Sequence, residues 1–175
     1  MATYRLQIPS GYGTIVIDPP WPWHYKGPLI KKHYDEMSLA EIRSIPVRRS
    51  GADHLWLWTT NAHMVEAMIT ALKWGYQYRS LLTWAKPRTT FGWWLRGQTE
   101  HVIFASRTRE NRKFSGKIST LLNAPYQGHS VKPDAFYPIV RALSPGPYLE
   151  LFARRPREGW TTLISDRPAE ATVAA

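Results

Sequence analysis

The chain has 175 residues, 43% of them hydrophobic, which is enough to bury the core of a single domain, predicted over residues 1–166 with a disordered tail at 167–175. It has no cysteine, which excludes disulfides, thiol catalysis and cysteine-ligated zinc, and its six histidines show no metal-ligand spacing. Lys and Arg number 23 against 13 for Asp and Glu, so the net charge of +10 indicates a polyanionic partner. No leader or membrane-spanning run is visible, so a cytoplasmic protein is expected.

The first structural signal is a strand that ends in two prolines. Ile15–Ile17 is an apolar β-branched run, and the prolines after Asp18 must end the strand that it predicts. Pro19 and Pro20 carry no N–H, so their turn offers carbonyl oxygens beside the Asp18 carboxylate. This acceptor-rich point suits a planar ring with an exocyclic amine, such as adenine, on which Trp21 would stack. A plain strand end with a core tryptophan is the structural alternative.

A helix and a second strand are predicted next. Ser38–Glu41 has the pattern of a capping box, so a short helix should begin there. His54–Thr59 alternates with the period of a strand, which places Trp56 and Trp58 on one face.

The segment after this strand predicts a longer helix. Asn61 is expected to cap it and Gly75 to end it. Apolar residues recur at i, i+3, i+4 and i+7, and we expect them to face the core: Val65, Met68, Ile69 and Leu72.

Two further strands, Tyr78–Ala85 and Glu100–Ala105, flank a connection rich in cations and aromatic residues. Aromatic side chains among cations suit stacking on bases while phosphates are neutralised, although a solvated basic loop is the simpler alternative.

The last third predicts one helix and two strands. Pro133 suits a first helical turn, which would place Lys132 at its mouth, but Pro138 then requires a kink or a later start. Strands are predicted at Tyr148–Ala153 and Trp160–Ile164. Alternating strands and helices indicate an α/β sheet, in which ligands gather beyond the carboxyl ends of the strands.

Several sequence blocks follow one another in a fixed order: Asp18–Trp21, Leu55–Asn61, Trp84–Lys86, Gly92–Leu95 followed by Glu100 and His101, His129–Asp134, and Glu150–Arg154. Together they resemble the adenine-N6 methyltransferases that carry the Asp-Pro-Pro-Trp signature. This family includes the eukaryotic messenger-RNA adenosine methyltransferase and many bacterial and phage DNA methylases. The resemblance runs from about Tyr12 to Asp166.

The resemblance implies a Rossmann-like fold with a mixed, mostly parallel sheet flanked by helices, the catalytic block preceding the main cofactor block. It implies S-adenosylmethionine as cofactor and no metal. The implied catalytic residues are Asp18, Pro19, Pro20 and Trp21. The implied cofactor-binding residues are Asp18, Lys132, Glu150, Leu151, Phe152, Arg154, Ser165 and Asp166. The implied substrate contacts are Trp23, Tyr25, Lys26, Lys86, Arg96, Glu100 and His129.

The expected activity is methyl transfer to the N6 amine of adenine in a nucleic acid, with DNA favoured and RNA as the alternative. The base would be flipped out or met in a single strand. A homodimer, or a heterodimer with a related subunit, is a further expectation. Two other functions stay open at this point: a methyltransferase for cytosine N4 or a glutamine amide, and a catalytically silent nucleic-acid-binding subunit.

Overall fold

Seven strands and three α-helices make up the part of the chain that the computed structural model describes, which is residues 7–22, 36–90, 94–109, 117–126, 128 and 131–164. Short 3-10 turns at Val47–Ser50 and Asn61–His63 precede the second strand and the second helix. In chain order the elements are β1 (Thr14–Ile17), α1 (Leu39–Ser44), β2 (His54–Thr60), α2 (Met64–Lys73), β3 (Gln77–Ala85), β4 (Thr99–Ser106), β5 (Leu121–Asn123), α3 (Phe136–Leu143), β6 (Tyr148–Ala153) and β7 (Trp160–Ile164).

The strands form one sheet in the order β5-β3-β4-β2-β1-β6-β7. Strand β4 pairs antiparallel with both β2 and β3, whereas the other four pairings are parallel. The carboxyl ends of the six remaining strands therefore meet at one edge, together with the amino end of β4. This mixed, mostly parallel sheet confirms the expected α/β class, and β1, which is paired on both sides, delivers Asp18 to that edge.

Helices cover both faces of the sheet. The strand side chains alternate between these faces and pack into two buried clusters. Leu55 and Leu57 of β2 pack on the side of α1 and α2. Trp56 and Trp58 point to the other side and pack with Phe136 of α3. The predicted alternation of β2 is confirmed, and the short β5 is an element that the sequence did not predict.

The orientation of α2 was predicted wrongly. Three of its four expected core residues are exposed: Val65 by 66%, Ile69 by 40% and Leu72 by 61%. The buried residues are instead Ala67, Thr70 and Ala71, with Met68 partly buried against the core. Small side chains let the helix axis approach the sheet closely, and the larger apolar residues remain outside.

The start of α2 also differs from the expectation. The helix begins at Met64, after the 3-10 turn that contains Asn61. The Asn61 side chain donates a hydrogen bond to Thr99 Oγ1 at 3.0 Å and lies 2.8 Å from His101 Nε2, so it joins β4 instead of capping the helix. The predicted stop is confirmed, since Gly75 has a φ of +86°.

The remaining helix boundaries agree with the sequence patterns. The capping box of α1 is present, with Glu41 N donating to Ser38 Oγ at 3.2 Å and Ser38 N donating to Glu41 Oε2 at 2.8 Å. Helix α3 has the later start that Pro138 required, which leaves this proline in the first turn. Among the described residues, no helix has both the length and the apolar character that crossing a bilayer demands.

Candidate active site

The tip of β1 is held at the carboxyl edge of the sheet by backbone hydrogen bonds. Asp18 N donates to Leu151 O of β6 at 3.4 Å. Pro19 O accepts from Trp21 N at 2.8 Å, and Pro20 O accepts from Met37 N at 3.0 Å. Each proline carbonyl keeps a second lone pair, so the predicted acceptor-rich turn is compatible with a further donor.

The Trp21 side chain anchors this turn to the hydrophobic core. It is only 7% exposed and belongs to the core cluster. Its Nε1 donates to Trp58 O at 3.0 Å, and its ring stacks on His63 with centroids 5.5 Å apart. The expected stacking of Trp21 on a target base is therefore not what this arrangement offers, because one ring face is covered and the indole N–H is bonded.

Four charged side chains form an alternating chain along this edge. Lys132 Nζ lies 3.0 Å from Asp18 Oδ2 and 2.9 Å from Glu100 Oε2. Lys86 contacts the other oxygen of Glu100. Lys132 Nζ also lies 4.7 Å from the centre of the Trp58 ring, a cation–π contact. The sequence predicted that Lys132 lies at the start of a helix and contacts the cofactor. In the structure its ammonium group bridges the carboxylates of Asp18 and Glu100.

The pKa values of these side chains follow from the alternation of cations and carboxylates. Burial raises the pKa of Asp18, and Lys132 opposes that rise. Burial also acts to raise the pKa of Glu100, but Lys132 and Lys86 outweigh it and lower that pKa below its usual value. For Lys132, burial would lower the pKa, but Asp18 and Glu100 overcome it and raise the pKa to about 12. Lys132 therefore stays cationic at any working pH.

The position of Glu100 depends on the strand that runs against the others. Glu100 lies at the start of β4, opposite Thr60 of β2 and Trp84 of β3. Because β4 is antiparallel, its first residues share the edge at which Asp18 lies. The sequence singled out Glu100 and Lys86 as substrate contacts but not their ion pair, which depends on strand direction.

A pocket lies next to Asp18 and is lined mainly by β6 and the segments around it. Phe152 has a φ of +62° where the pairing of β6 with β7 shifts register. This left-handed backbone is rare for a residue with a side chain, and such strain clusters at functional sites. The lining residues are Asp18, Val131, Lys132, Tyr137, Glu150, Phe152, Ala153, Arg154, Arg155 and Arg157.

Glu150 is the most unusual residue of this pocket. It is only 5% exposed, and its Oε1 accepts a 2.7 Å hydrogen bond from the Tyr137 hydroxyl. Its Oε2 is buried and has no hydrogen-bond partner among the described residues. Burial raises its pKa to about 7, despite the Tyr137 hydrogen bond and the nearby charge of Arg157. Arg157 itself lies over the Tyr137 ring at 3.3 Å from its centre.

The other predicted site residues fall into four groups. Arg154 lines the pocket, whereas Leu151 is fully buried in the core and is absent from the lining. Arg96 is exposed on the connection between β3 and β4, next to Trp94, which is 98% exposed. Several predictions lie outside the described residues: Trp23, Tyr25, Lys26, His129, Ser165, Asp166 and the tail 167–175.

Metal-ligating side chains are not grouped in the described part of the chain. No set of three or more His, Cys, Asp or Glu residues there has the spacing to hold a metal ion.

The chain matches one protein family over most of its length. Residues 12–165 match the family described as MT-A70. The chain is 30% identical over 173 residues to "Probable N(6)-adenosine-methyltransferase MT-A70-like" of Oryza sativa subsp. japonica, covering 91% of this chain and 24% of that protein. It is 28% identical over 169 residues to "N(6)-adenosine-methyltransferase catalytic subunit METTL3" of Homo sapiens, and the match covers 90% of this chain and 28% of that protein.

A fungal relative is shorter than the rice and human proteins, so the match covers more of it. "N6-methyladenosine RNA methyltransferase MTA1" of Cryphonectria parasitica (strain ATCC 38755 / EP155) is 28% identical over 169 residues, which cover 85% of this chain and 49% of that protein. The chain thus spans about a quarter of the length of the rice and human relatives and about half of the fungal one.

Proposed function

The chain belongs to the MT-A70 family, and on that premise we propose that it transfers a methyl group from S-adenosylmethionine to the N6 amine of adenine in a nucleic acid. The observation that carries this proposal is the position of Asp18, which directly follows the interior strand β1 and lines a pocket together with Glu150. Ligands of α/β sheets bind beyond this edge.

In this proposal the tip of β1 positions the amine. The Asp18 carboxylate and the second lone pair of the Pro19 carbonyl accept hydrogen bonds from its two N–H groups, which turns the nitrogen lone pair out of the plane of the ring. Pro20 fixes the turn, and Trp21 holds it from the core through its bond to Trp58 O. Positioning of this kind supplies up to about 7 to 11 kcal/mol for well-aligned reactants.

The pocket beside Asp18 fits a charged cofactor. Its lining contains two carboxylates and four cations, which are Asp18, Glu150, Lys132, Arg154, Arg155 and Arg157. The uncompensated Oε2 of Glu150 is the feature that a ligand with a donor group would satisfy. When bound, S-adenosylmethionine supplies the methyl group: the N–C bond forms as the S–C bond breaks, and the amine releases one proton to solvent.

RNA is the proposed substrate, in place of the DNA that the sequence led us to expect. The rice and human relatives are named as adenosine methyltransferases, and the fungal one as an RNA methyltransferase. Adenosine is the ribonucleoside, so these names favour RNA and give DNA no support.

The connection between β3 and β4 would bind the strand that carries the adenine. Trp94 is 98% exposed and Leu95 87% exposed, beside the exposed cation of Arg96. An exposed indole next to a guanidinium suits stacking on an unpaired base and neutralisation of a phosphate. A second subunit remains part of the proposal, since the human relative is named as a subunit.

The test is a methyl-transfer assay with labelled S-adenosylmethionine on single-stranded RNA, single-stranded DNA and duplex DNA of matched sequence, followed by mass spectrometry of the nucleosides. We expect N6-methyladenosine, with RNA the best substrate. Methylated cytosine instead of adenine would contradict the proposal, and better transfer to DNA would overturn the choice of RNA. Cofactor binding without transfer to any of the three would favour a silent binding subunit.

A further inference from the structure

The antiparallel strand β4 carries the chain away from the edge at which Asp18 lies. Its first residues share that carboxyl edge, but its last residue, Ser106, lies opposite His54, where β2 begins. We call this opposite side of the sheet the amino edge. Strand β2 has seven residues, so the two edges lie about 20 Å apart. Cations that follow β4 in the sequence are therefore remote from the pocket.

Five arginines from three separate parts of the chain lie at the amino edge. Arg48 and Arg49 belong to the 3-10 turn before β2, Arg79 to the first half of β3, and Arg107 and Arg109 to the segment after β4. Arg79 is half-buried and the other four are exposed. We call these five residues the amino-edge patch.

Packing and hydrogen bonds place Arg48 and Arg107 on the same surface. The Arg48 guanidinium packs beside Gly75, where a Cβ would lie 3.7 Å from Arg48 Cζ. The hydroxyl of the next residue, Tyr76, donates to Ala52 O at 2.8 Å. Arg107 Nη1 donates to the same carbonyl at 3.4 Å. The turn before β2, the start of β3 and the end of β4 thus converge here.

Arg79 is held in a defined direction at the end of β4. Its Nε donates to Ser106 Oγ at 2.8 Å, and its Nη2 donates to Thr108 O at 3.0 Å. A guanidinium has five N–H donors, and these bonds use two of them. A planar cation that is fixed in this way suits bidentate binding of a phosphate.

Ion pairs neutralise cations at the carboxyl edge but not in the amino-edge patch. At the carboxyl edge Lys132 pairs with both Asp18 and Glu100. No carboxylate of the described residues lies within ion-pair distance of the five arginines. Asp53 lies at the amino edge, but its two oxygens accept hydrogen bonds from Thr108 N at 3.0 Å and Thr108 Oγ1 at 2.6 Å. The patch therefore offers its positive charge to a polyanion.

We propose that the amino-edge patch binds phosphates of the RNA strand that carries the target adenine, away from the adenine itself. The inference rests on the proposed function, because that function makes RNA the substrate. Tyr78, which is 48% exposed and adjacent to Arg79, adds an aromatic ring to the cations. This combination favours a single-stranded nucleic acid over an acidic protein.

The distance between the two edges makes the contact depend on RNA length. A stacked strand rises about 3.4 Å per nucleotide, so a span of about 20 Å takes at least about six nucleotides. An RNA of about 5 nucleotides with a central adenine cannot reach the patch while its adenine is at Asp18. An RNA of about 25 nucleotides with a central adenine can reach it.

The experiment measures methylation and binding of these two RNAs by the whole chain. In the double variant Arg48→Gln/Arg107→Gln, we expect KM for the longer RNA to rise at least about tenfold and kcat to stay within about twofold. KM for the shorter RNA should change less than about twofold. Each phosphate contact contributes about 0.7 to the slope of log affinity against log salt, so the slope for the longer RNA should become shallower by about 1.4. Fluorescence anisotropy at a series of salt concentrations measures this slope.

Three further variants serve as controls. Arg49→Gln/Arg109→Gln removes two other exposed charges of the patch and should give the same result, so the test does not depend on the folding of one variant. Arg48→Lys/Arg107→Lys keeps both charges and should keep the salt slope. Arg141→Gln removes an exposed cation of α3, whose guanidinium donates to Glu158 O, and should change neither KM by more than about twofold.

The possible outcomes separate the patch from the reaction. Unchanged binding of the longer RNA by both Gln double variants would overturn the assignment and leave the patch to an acidic protein. An equal loss per removed charge in Arg141→Gln would also overturn it, because net charge alone would then explain the affinity. Failure of the wild type to methylate either RNA would instead contradict the proposed function, while the anisotropy comparison would still test the patch.

Discussion

Lys132 Nζ lies 3.0 Å from Asp18 Oδ2, which ties the tip of β1 to the segment that leads into α3. The same ammonium group reaches Glu100 at 2.9 Å. One cation thus restrains two carboxylates from distant parts of the chain. Asp18 is held in one position before any substrate arrives, and burial makes its ionisation depend on Lys132.

The first prediction concerns Asp18 as the residue that positions the amine. Asp18→Ala should lower methyl transfer at least about 100-fold, since losing one placed polar group at a reacting centre costs about 2.7 to 4 kcal/mol. The melting temperature should change little, because Lys132 keeps its contact with Glu100. Single-turnover methylation and thermal unfolding check the two parts. Methylation close to the wild-type rate by a folded Asp18→Ala protein would refute the assignment.

The second prediction concerns Lys132 as a positioning residue. Lys132→Met removes the cation that opposes the effect of burial, so the pKa of Asp18 should rise further. A carboxylate that must be ionised to accept a hydrogen bond from the amine then loses function at a higher pH. The acid limb of the pH profile for kcat/KM should move to higher pH in this variant. An acid limb that stayed in place or moved to lower pH would contradict the role of Lys132.

The strand pattern could be predicted because it depends on local sequence. Ile15–Ile17 and Tyr148–Ala153 are mainly apolar runs with glycine or proline nearby, and such runs predict buried strands from local composition alone. Strand β5 has only three residues at the edge of the sheet, too few to show any period. The contact of Lys132 with Glu100 could not be predicted, because it requires knowing that β4 runs antiparallel.

The orientation of α2 shows a different limit. A period of 3.6 residues identifies an apolar face but not whether that face meets the sheet. Ala67 and Ala71 form a second, smaller face on the same helix, and the structure buries that one. Close approach of the helix to the sheet favours small side chains, and hydrophobicity alone does not report this.

The third prediction tests that orientation. Leu72→Lys should change the free energy of unfolding by no more than about 0.5 kcal/mol, since the side chain is already exposed. Ala67→Leu should cost about 1 to 3 kcal/mol, because added methylene groups have no room against the sheet. Urea denaturation of both variants measures the difference. A larger loss for Leu72→Lys than for Ala67→Leu would restore the orientation expected from the sequence.

The fourth prediction concerns the buried hydroxyl that joins β2 to the end of α3. Ser144 Oγ accepts a hydrogen bond from Trp56 Nε1 at 2.9 Å and lies 2.8 Å from His54 Nδ1. Ser144→Ala leaves the indole N–H buried without this acceptor and should cost about 1 to 3 kcal/mol. The exposed Ser44→Ala is the control and should stay within about 0.5 kcal/mol. Equal unfolding free energies for the two variants would show that the Ser144 contact is energetically neutral.

The fifth prediction gives Glu150 a signature in the stability of the free protein. Its pKa rises from an ordinary value of 4.5 to about 7 on folding. Between these values the folded state binds more protons than the unfolded state, so the free energy of unfolding falls as pH rises through this window. The loss contributed by Glu150 should reach about 3 kcal/mol by pH 7 and change little above it.

Glu150→Gln isolates this contribution, because the other titrating groups remain in both proteins. The variant keeps an acceptor for the Tyr137 hydroxyl but has no charge to bury. Its stability relative to the wild type should therefore increase by about 3 kcal/mol between pH 4.5 and 7, measured by urea denaturation at a series of pH values. Glu158→Gln, exposed in the neighbouring connection, should show no such trend. A constant difference across the series would mean that Glu150 is ionised as readily in the folded chain as in the unfolded one.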